Sequence, residues 1–407
     1  MDGKFRMIFD DNDGGLEAGD ASGLAVLLNA TSVPLRPVGA GKYIWELAKG
    51  LAFDFDTSLY LCTRKNDRAR WENIMLDGRK NKLLPLAPVS KPARMQYEEY
   101  SIAKLATQIG KNNLSQRSLV LHGPHYVIGR TKSAAVVATI HDMTLLEHPE
   151  WHERNKVIYF TRAIGNAVRQ AQVIICPSRY TAQKLLDRYH LKTPVVVARH
   201  GVDFSLFRPK NHFNLWEDKE ALLEIGLSGR YILHVGTIEP RKNISLLAKA
   251  FDVLADKDQE VRLVLAGKEG WRVTEINKVL HYVKHKDRIV RLGYVQDSQV
   301  AVLLRNASVV CYPSFEEGFG LPALEAVACG APLVTTRDSA MAEMVGKAAV
   351  LVNPGSLEDL TDALRQELEG GGDQELRRKS GLEIAGQFTW EKSLKNHLYA
   401  YRLALGG

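Results

Sequence analysis

From Leu24 onward the chain alternates short β-branched apolar runs with longer stretches of helical periodicity, and it does so twice. LAVLLNA (24–30), SLYLC (58–62), SLVLH (118–122), AVVATI (135–140), QVIIC (172–176) and PVVVA (194–198) read as strands. A polar stretch after Pro209, KNHFNLWEDKE, breaks the rhythm. It restarts with YILHVG (231–236), VRLVLAG (261–267), RIVRLG (288–293), SVVCY (308–312), PLVTT (332–336) and AVLV (349–352). Apolar runs without polar alternation belong to strands buried on both faces, as in parallel sheets between helical layers. Two such series predict an α/β chain of two Rossmann-like domains, with ligands at the carboxyl ends of the strands. The expected divisions are a poorly ordered leader over 1–22, which an added strand would modify, and an N-terminal domain over 23–209. A linker over 210–228 and a C-terminal domain over 229–407 follow, with the last helix free to pack back on the first domain.

Bulk properties exclude several classes. The chain has 407 residues, 45% hydrophobic and 25% charged, an ordinary composition for a soluble protein of two domains. No apolar run approaches the roughly 18 residues of a membrane span, and no signal peptide opens the chain. The four cysteines, Cys62, Cys176, Cys311 and Cys329, show neither CxxC spacing nor a disulfide rhythm, which points to reducing cytosol. Charge is uneven: residues 1–210 carry 30 Lys and Arg against 20 Asp and Glu, and the remainder 24 against 27. The densest basic stretches are TRKNDRARW (63–71) and GRKNK (78–82). A basic half of this kind suits nucleic acid, an anionic membrane surface, an anionic substrate, or merely a solvated face.

Two loops in the second half carry chemistry. In SFEEGFGLPALEAVACGAP (314–332), Gly318 and Gly320 permit positive φ, Pro322 suits a first helical position, and Gly330 suits a left-handed stop. A helix over about 322–329 results, and its free N–H groups form an anion site beside Glu317. Phosphate alone would not favour the carboxylates Glu317 and Glu325, so the ligand should offer hydroxyls as well as negative charge. HVGTIEPRKNISLL (234–247) ends a strand at Gly236 and starts a helix near Asn243, with Arg241 and Lys242 beside that start. Both loops leave the same edge of one sheet. Cations, a helix N-terminus and two carboxylates together fit a sugar joined to a nucleoside diphosphate.

These motifs, with LAGKEGW, LGYV and PLVTT in order between and after them, resemble the donor domain of family-four retaining glycosyltransferases of the GT-B fold. The E-x(7)-E motif of that family falls on Glu317 and Glu325. PVGAGKYIWELAKGL (37–51) is similar to the family's glycine loop and TIHDMTLLEHPEW (139–151) to its His–Asp segment. CPSRYTAQKLL and RHGVDFSLFRP also match, so the resemblance runs from about Leu24 to the C-terminus. It implies two Rossmann-like domains facing across a cleft. In that reading Glu317 holds hydroxyls of the donor sugar, Glu325 holds the ribose, and Arg241 and Lys242 take the diphosphate. Backbone at Gly318, Phe319, Gly320 and Leu321, with Gly39 and Gly41 opposite, borders sugar and phosphates. His141 stands beside the reacting sugar, and Asp142, His122 and His125 are candidate acceptor contacts. One departure is Thr237, where some members carry an arginine.

The resemblance implies retention of anomeric configuration by a front-face reaction, with a glycan or lipid-linked glycan as acceptor. Stretches 139–151 and 235–243 look most like bacterial mannosyltransferases of polysaccharide assembly, which favours GDP-mannose and leaves UDP- and dTDP-hexoses open. Two D-x-D triplets, Asp54–Asp56 and Asp11–Asp13, spell a metal-binding pattern. The first falls at the wrong end of the sheet and the second in the leader, so no metal and no other cofactor are expected. The basic half is then expected to meet an anionic bilayer at its cytoplasmic face around Arg64–Lys82, with no nucleic acid partner. A non-catalytic sugar-nucleotide-binding protein remains an alternative. A dinucleotide-dependent oxidoreductase is another, supported by only a G-x-G fragment at 39–41.

Overall fold

The computed structural model describes residues 7–8, 23–75, 80–87, 91–112, 118–211, 214–370 and 373–406. Most of the expected leader, including Asp11–Asp13, lies outside the described residues. The chain forms two compact units. The first comprises residues 1–146, 155–201 and 389–407, and the second 147–154 and 202–388.

The first unit is built on an all-parallel eight-stranded sheet. Its strands are β1 (Met7–Ile8), β2 (Leu24–Asn29), β3 (Thr57–Arg64), β4 (Lys82–Leu86), β5 (Leu119–Gly123), β6 (Ala135–Thr139), β7 (Val173–Cys176) and β8 (Val195–Val197). They lie in the order β1-β8-β7-β6-β5-β2-β3-β4. The sequence pattern missed β4. Pro85 interrupts its apolar run, yet β4 is an edge strand paired only with β3, where a missing N–H is tolerated. The two-residue β1 pairs with β8 inside the span expected as leader.

Period-two alternation buries both faces of this sheet. Val26 and Leu28 pack with Tyr43, Ile44 and Leu47 of the helix Ala40–Phe53 and with Tyr401 of the last helix, Trp390–Ala404. Ala25 and Leu27 face the other way, toward Ile102, Ala106, Ala163 and Ile164. Each large side chain buried in this way contributes about 1.5–3 kcal/mol of transfer free energy.

In the second unit β9 (Tyr231–Val235), β10 (Arg262–Ala266), β11 (Ile289–Gly293), β12 (Val309–Tyr312), β13 (Leu333–Thr336) and β14 (Val350–Val352) form a parallel sheet in the order β11-β10-β9-β12-β13-β14. Successive strands run outward in one direction from β9 and in the other from β12. The topological switch therefore lies between these two neighbours, where such sheets open a crevice.

Two expected boundaries move. The unit border falls at Gly201/Val202 rather than after residue 209, and the expected linker contains a helix, Leu215–Glu224, of the second unit. That helix misleads because its inward residue is polar. Asp218 is buried and paired with Arg305 at 2.5 Å, whereas Leu215, Trp216 and Leu223 are exposed.

Candidate functional site

The loops after β9 and β12 flank the switch point, and this topology brings together two motifs about 75 residues apart. Residues Pro240–Lys242 form a 3₁₀ turn, and Asn243, with φ of 54°, redirects the chain into the helix Ile244–Ala255. The second loop enters the helix Leu321–Ala328, one residue earlier than expected, with Pro322 in its first turn. Gly320, not Gly318, carries the positive φ, at 96°. A Cβ there would also stand 2.4 Å from Met341 Cγ, so the position demands glycine twice over.

The structure joins Arg241, Lys242 and Glu317 in one ion cluster. Arg241 donates from Nη1 to Glu317 Oε2 at 2.6 Å, and Lys242 Nζ donates to Glu317 Oε1. Burial alone would raise the Glu317 carboxyl, but Arg241 and then Lys242 outweigh it and hold the group at about 2. Glu317 is therefore a carboxylate at any physiological pH. Glu239, which the sequence reading passed over, completes the cluster. It is 3% exposed and accepts from Arg241 Nη2 at 2.8 Å and Nε at 3.2 Å. Its signal was the glutamate inside TIEPRKN, hidden among ordinary loop residues. A guanidinium has five N–H donors. Two point at Glu239, and Nη1 serves both Glu317 and the Glu316 carbonyl, the latter at 2.9 Å. At most one donor remains for any further contact.

Glu325 is buried on the helix Leu321–Ala328, and its charge and that of Glu317 both contribute to raising the Tyr312 hydroxyl, after burial itself. His234, at the end of β9, is also buried. Its Nδ1 donates to the Cys311 carbonyl at 3.0 Å, so Nε2 is a bare acceptor, without a partner among the described residues. Burial lowers its pKa to about 4.

The short segment Glu147–Arg154 belongs to this second unit. His148 stacks on Trp151 with ring centroids 3.9 Å apart, and Trp151 stacks on Phe315 of the 314–320 loop at 5.7 Å. Trp271 Nε1 donates to the Trp151 carbonyl at 2.6 Å. Ligand atoms of Glu147, His148 and Glu316 lie within 4.8 Å of one another, the one group with metal-like spacing among the described residues. His148 stands between carboxylates, with Glu150 at 3.2 Å and Glu316 at 3.7 Å. Asp54 of the first D-x-D triplet accepts from Thr57 Oγ1 at 2.6 Å, at the start of β3 and away from the carboxyl edge.

In the first unit the switch lies between β2 and β5. Gly39, with φ of 51°, leads the loop after β2 into the helix that holds Gly41. A Cβ on Gly41 would meet Pro34 Cδ at 2.9 Å. His141 follows β6. Its Nε2 donates to the Pro124 carbonyl at 2.7 Å, which fixes the tautomer and leaves Nδ1 a lone pair. Burial lowers its pKa despite that bond. Its ring packs edge-on to Tyr43, centroids 5.2 Å apart, and 5.6 Å from His125. Burial also lowers His125, to about 3.

Two candidate acceptor contacts have other employment. Asp142 Oδ1 accepts from the Thr144 backbone at 3.1 Å and from its hydroxyl at 2.8 Å, a local turn. His122 is 0% exposed with both nitrogens bonded, so its placement does not fit an acceptor contact. It belongs to a buried hydrogen-bond row whose proton order is determined. The Ser393 carbonyl can only accept, so His397 Nδ1 donates to it at 2.7 Å. His397 is neutral, lowered to about 4 by burial, so its Nε2 accepts from Tyr43 at 2.8 Å. Tyr43 must then accept from Thr139 at 2.9 Å, and Thr139 from His122 Nε2 at 2.8 Å. His122 Nδ1 accepts from Tyr401 at 2.8 Å.

The basic stretch is in part structural. Arg70 donates to the carbonyls of Pro34 at 2.5 Å and Val33 at 3.0 Å, and its guanidinium sits 5.1 Å from the Trp71 ring centre. Arg68 is exposed and pairs with Glu72 at 2.7 Å. Residues 76–79 lie outside the described residues. No helix of the described residues is long and apolar enough to cross a membrane.

Comparison with known proteins bears on the same two regions. Residues 37–206 match the family profile described as Glycosyltransferase Family 4, and residues 217–387 the profile described as Glycosyl transferases group 1. An O-antigen chain mannosyltransferase B from Escherichia coli is 29% identical over 289 residues, covering 70% of this chain and 75% of that protein. A D-inositol 3-phosphate glycosyltransferase from Kribbella flavida is 27% identical over 404 residues, 90% of this chain and 91% of that one. Among solved structures, Anabaena HepE in complex with UDP-glucose superposes with a TM-score of 0.68 at 18% identity, over 94% of this chain and 99% of that one. With both profiles in register with the two switch-point loops, the chain belongs to the family-4 glycosyltransferases of the GT-B fold.

Proposed function

We propose that this glycosyltransferase moves a hexose, mannose first, from a nucleoside-diphosphate sugar to a glycan or lipid-linked glycan, with retention and without a divalent metal. The observation that carries the reading is the cluster of Glu317, Arg241 and Lys242 at the mouth of the helix Leu321–Ala328. A carboxylate held charged in a protected site grips sugar hydroxyls. Lys242 and the positive end of the helix Leu321–Ala328 stabilise the phosphate charge that develops as the sugar leaves. Mannose is favoured because the Escherichia coli relative is a mannosyltransferase. A sugar-nucleotide donor is supported by the UDP-glucose bound to the Anabaena neighbour. Calorimetric titration with GDP-mannose and the UDP- and dTDP-hexoses tests the donor, and NMR of the product's anomeric proton tests retention. Tight donor binding with no transfer to any glycan acceptor would favour a non-catalytic binding protein instead. Turnover in excess chelator should equal turnover with added Mg²⁺ or Mn²⁺, and a surviving requirement for metal would direct attention to Glu147, His148 and Glu316.

We also propose a weak, salt-sensitive association of the basic half with anionic bilayers. Each exposed Lys or Arg near such a surface adds about 1 kcal/mol within a Debye length. Lys65, Arg68, Lys80 and Lys82 are exposed and suit the role, whereas Arg70 is committed to the 33–34 carbonyls. Co-sedimentation with anionic liposomes should fall at high salt and on neutralising those four residues. Indifference to anionic liposomes at low salt would leave a solvated face.

A further inference from the structure

Arg241 and Lys242 are adjacent, basic and both bonded to Glu317, yet their surroundings differ. The Arg241 side chain is 15% exposed and faces a Glu239 side chain that is 4% exposed. Its guanidinium bridges Glu239, the Glu316 carbonyl and the Glu317 carboxylate, and its own carbonyl accepts from the Phe315 backbone at 3.0 Å. Side chain and backbone of one residue thus tie the loop after β9 to the loop after β12. Among the described residues Lys242 has one charged contact, to Glu317, and an ammonium has three N–H donors to distribute.

We propose that Arg241 is a positioning residue, which Glu239 clamps so that it holds Glu317 in its working orientation, while Lys242 is the cation that meets the donor diphosphate. The proposal rests on the reading of this site as a sugar-nucleotide site. Its physical basis is the planar fork of arginine, which can bond two carboxylates and a carbonyl in fixed directions. A lysine ammonium supplies the same charge without that geometry. Glu239 then acts two steps from the substrate, through Arg241 and Glu317.

The test uses the full chain and three variants, Arg241→Lys, Glu239→Gln and Lys242→Ala, with GDP and UDP as calorimetric probes. Arg241→Lys keeps the charge and removes the fork. It should leave the dissociation constant of the nucleoside diphosphate that binds the wild type within about threefold and lower kcat by up to about 10²-fold, the scale of a misplaced catalytic group. Glu239→Gln should behave alike, and the two changes should be non-additive in the double variant. Lys242→Ala should weaken nucleoside diphosphate binding by about tenfold or more, as expected on losing a charge-assisted contact. Equal weakening by Arg241→Lys and Lys242→Ala would make Arg241 a phosphate ligand and overturn the proposal. Wild-type kcat in Arg241→Lys would also overturn it. If the wild type binds no nucleoside diphosphate, the sugar-nucleotide reading fails by itself. The positioning role is then judged by carbon-13 titration of the Glu317 carboxyl in Arg241→Gln. That pKa should rise from about 2 toward the usual glutamate value, and an unchanged value would sink the proposal. Because Arg241→Lys and Arg241→Gln do not involve Glu239, misfolding of the Glu239 variant does not remove the test.

Discussion

Both units bury polar groups near the carboxyl ends of parallel strands, on strands and helices in the first and on loops in the second, and keep them there by opposite means. The first unit uses neutral groups: Tyr43, His122, Thr139, His397 and Tyr401 satisfy one another through single hydrogen bonds. The second unit uses full charges, with Glu239 and Glu317 against Arg241 and Lys242. A neutral row can be buried deeply because no ion is desolvated, but it is fixed and offers little to a ligand. An ion cluster is costly to bury, and here Arg241 and Lys242 stay 15% and 13% exposed, open to an anionic, hydroxyl-bearing substrate. The difference separates scaffold from site on one shared architecture.

The sharpest way to break the comparison is at Glu317. Glu317→Gln keeps shape and removes charge, and turnover with the true donor should fall by about 10²–10³ while the fold survives. Near-native turnover would remove Glu317 from the chemistry. The matching change in the neutral row is His397→Leu, which strands the Tyr43 hydroxyl while the Ser393 carbonyl keeps its helical backbone bond. The stranded group should cost about 1–3 kcal/mol in urea unfolding. A loss well under 1 kcal/mol would show that the row repartners easily.

Acid should separate the buried histidines from the ion cluster by pH. Burial lowers His397 to about 4 from an unfolded value near 6.5, so the folded state resists a proton that the unfolded chain takes. Stability from this source is complete above about pH 6.5 and lost as pH falls toward 4. Glu317 is also lowered, to about 2, and its contribution is complete above about pH 4.5 and lost between there and 2. Hydrogen exchange at graded pH should therefore show the helix Trp390–Ala404, β5 and β9, which carry the lowered histidines, losing protection before the helix Leu321–Ala328 at the Glu317 loop. The reverse order would contradict these assignments. The smallest effect belongs to the surface: breaking the exposed Arg68–Glu72 pair with Arg68→Gln should change stability by only about 0.2–0.5 kcal/mol.

Much of the fold was legible because both sheets are parallel and nearly every interior strand is a continuous apolar run bounded by turns. The pattern failed at edges and inversions. β4 carries Pro85 at a sheet edge, and the helix Leu215–Glu224 turns Asp218 inward and Trp216 outward. The site was legible as two loops, since glycines, Pro322 and the charges of EPRK are local signals. What each charge does was not. Whether Arg241 faces a phosphate or a glutamate depends on Glu239 beside it and Glu316 75 residues away. His122 looked like a strand-end candidate because its partner Tyr401 lies 279 residues further on. No periodicity reveals a hydrogen bond of that span.

That long-range row has a further consequence. A proton wire works only if each member can hand its hydrogen onward and then reset, and this row ends on the Ser393 amide oxygen, which has no hydrogen to return. Every O–H and N–H in it is thereby aligned in one sense, like a domino line that has already fallen. With that acceptor at its end, the row has no second, reversed arrangement of its hydrogens. It also means that a residue close to the C-terminus dictates which nitrogen of His122 bears hydrogen. Removing the last helix would erase that instruction as well as the packing, and the ring would be free to choose its tautomer again.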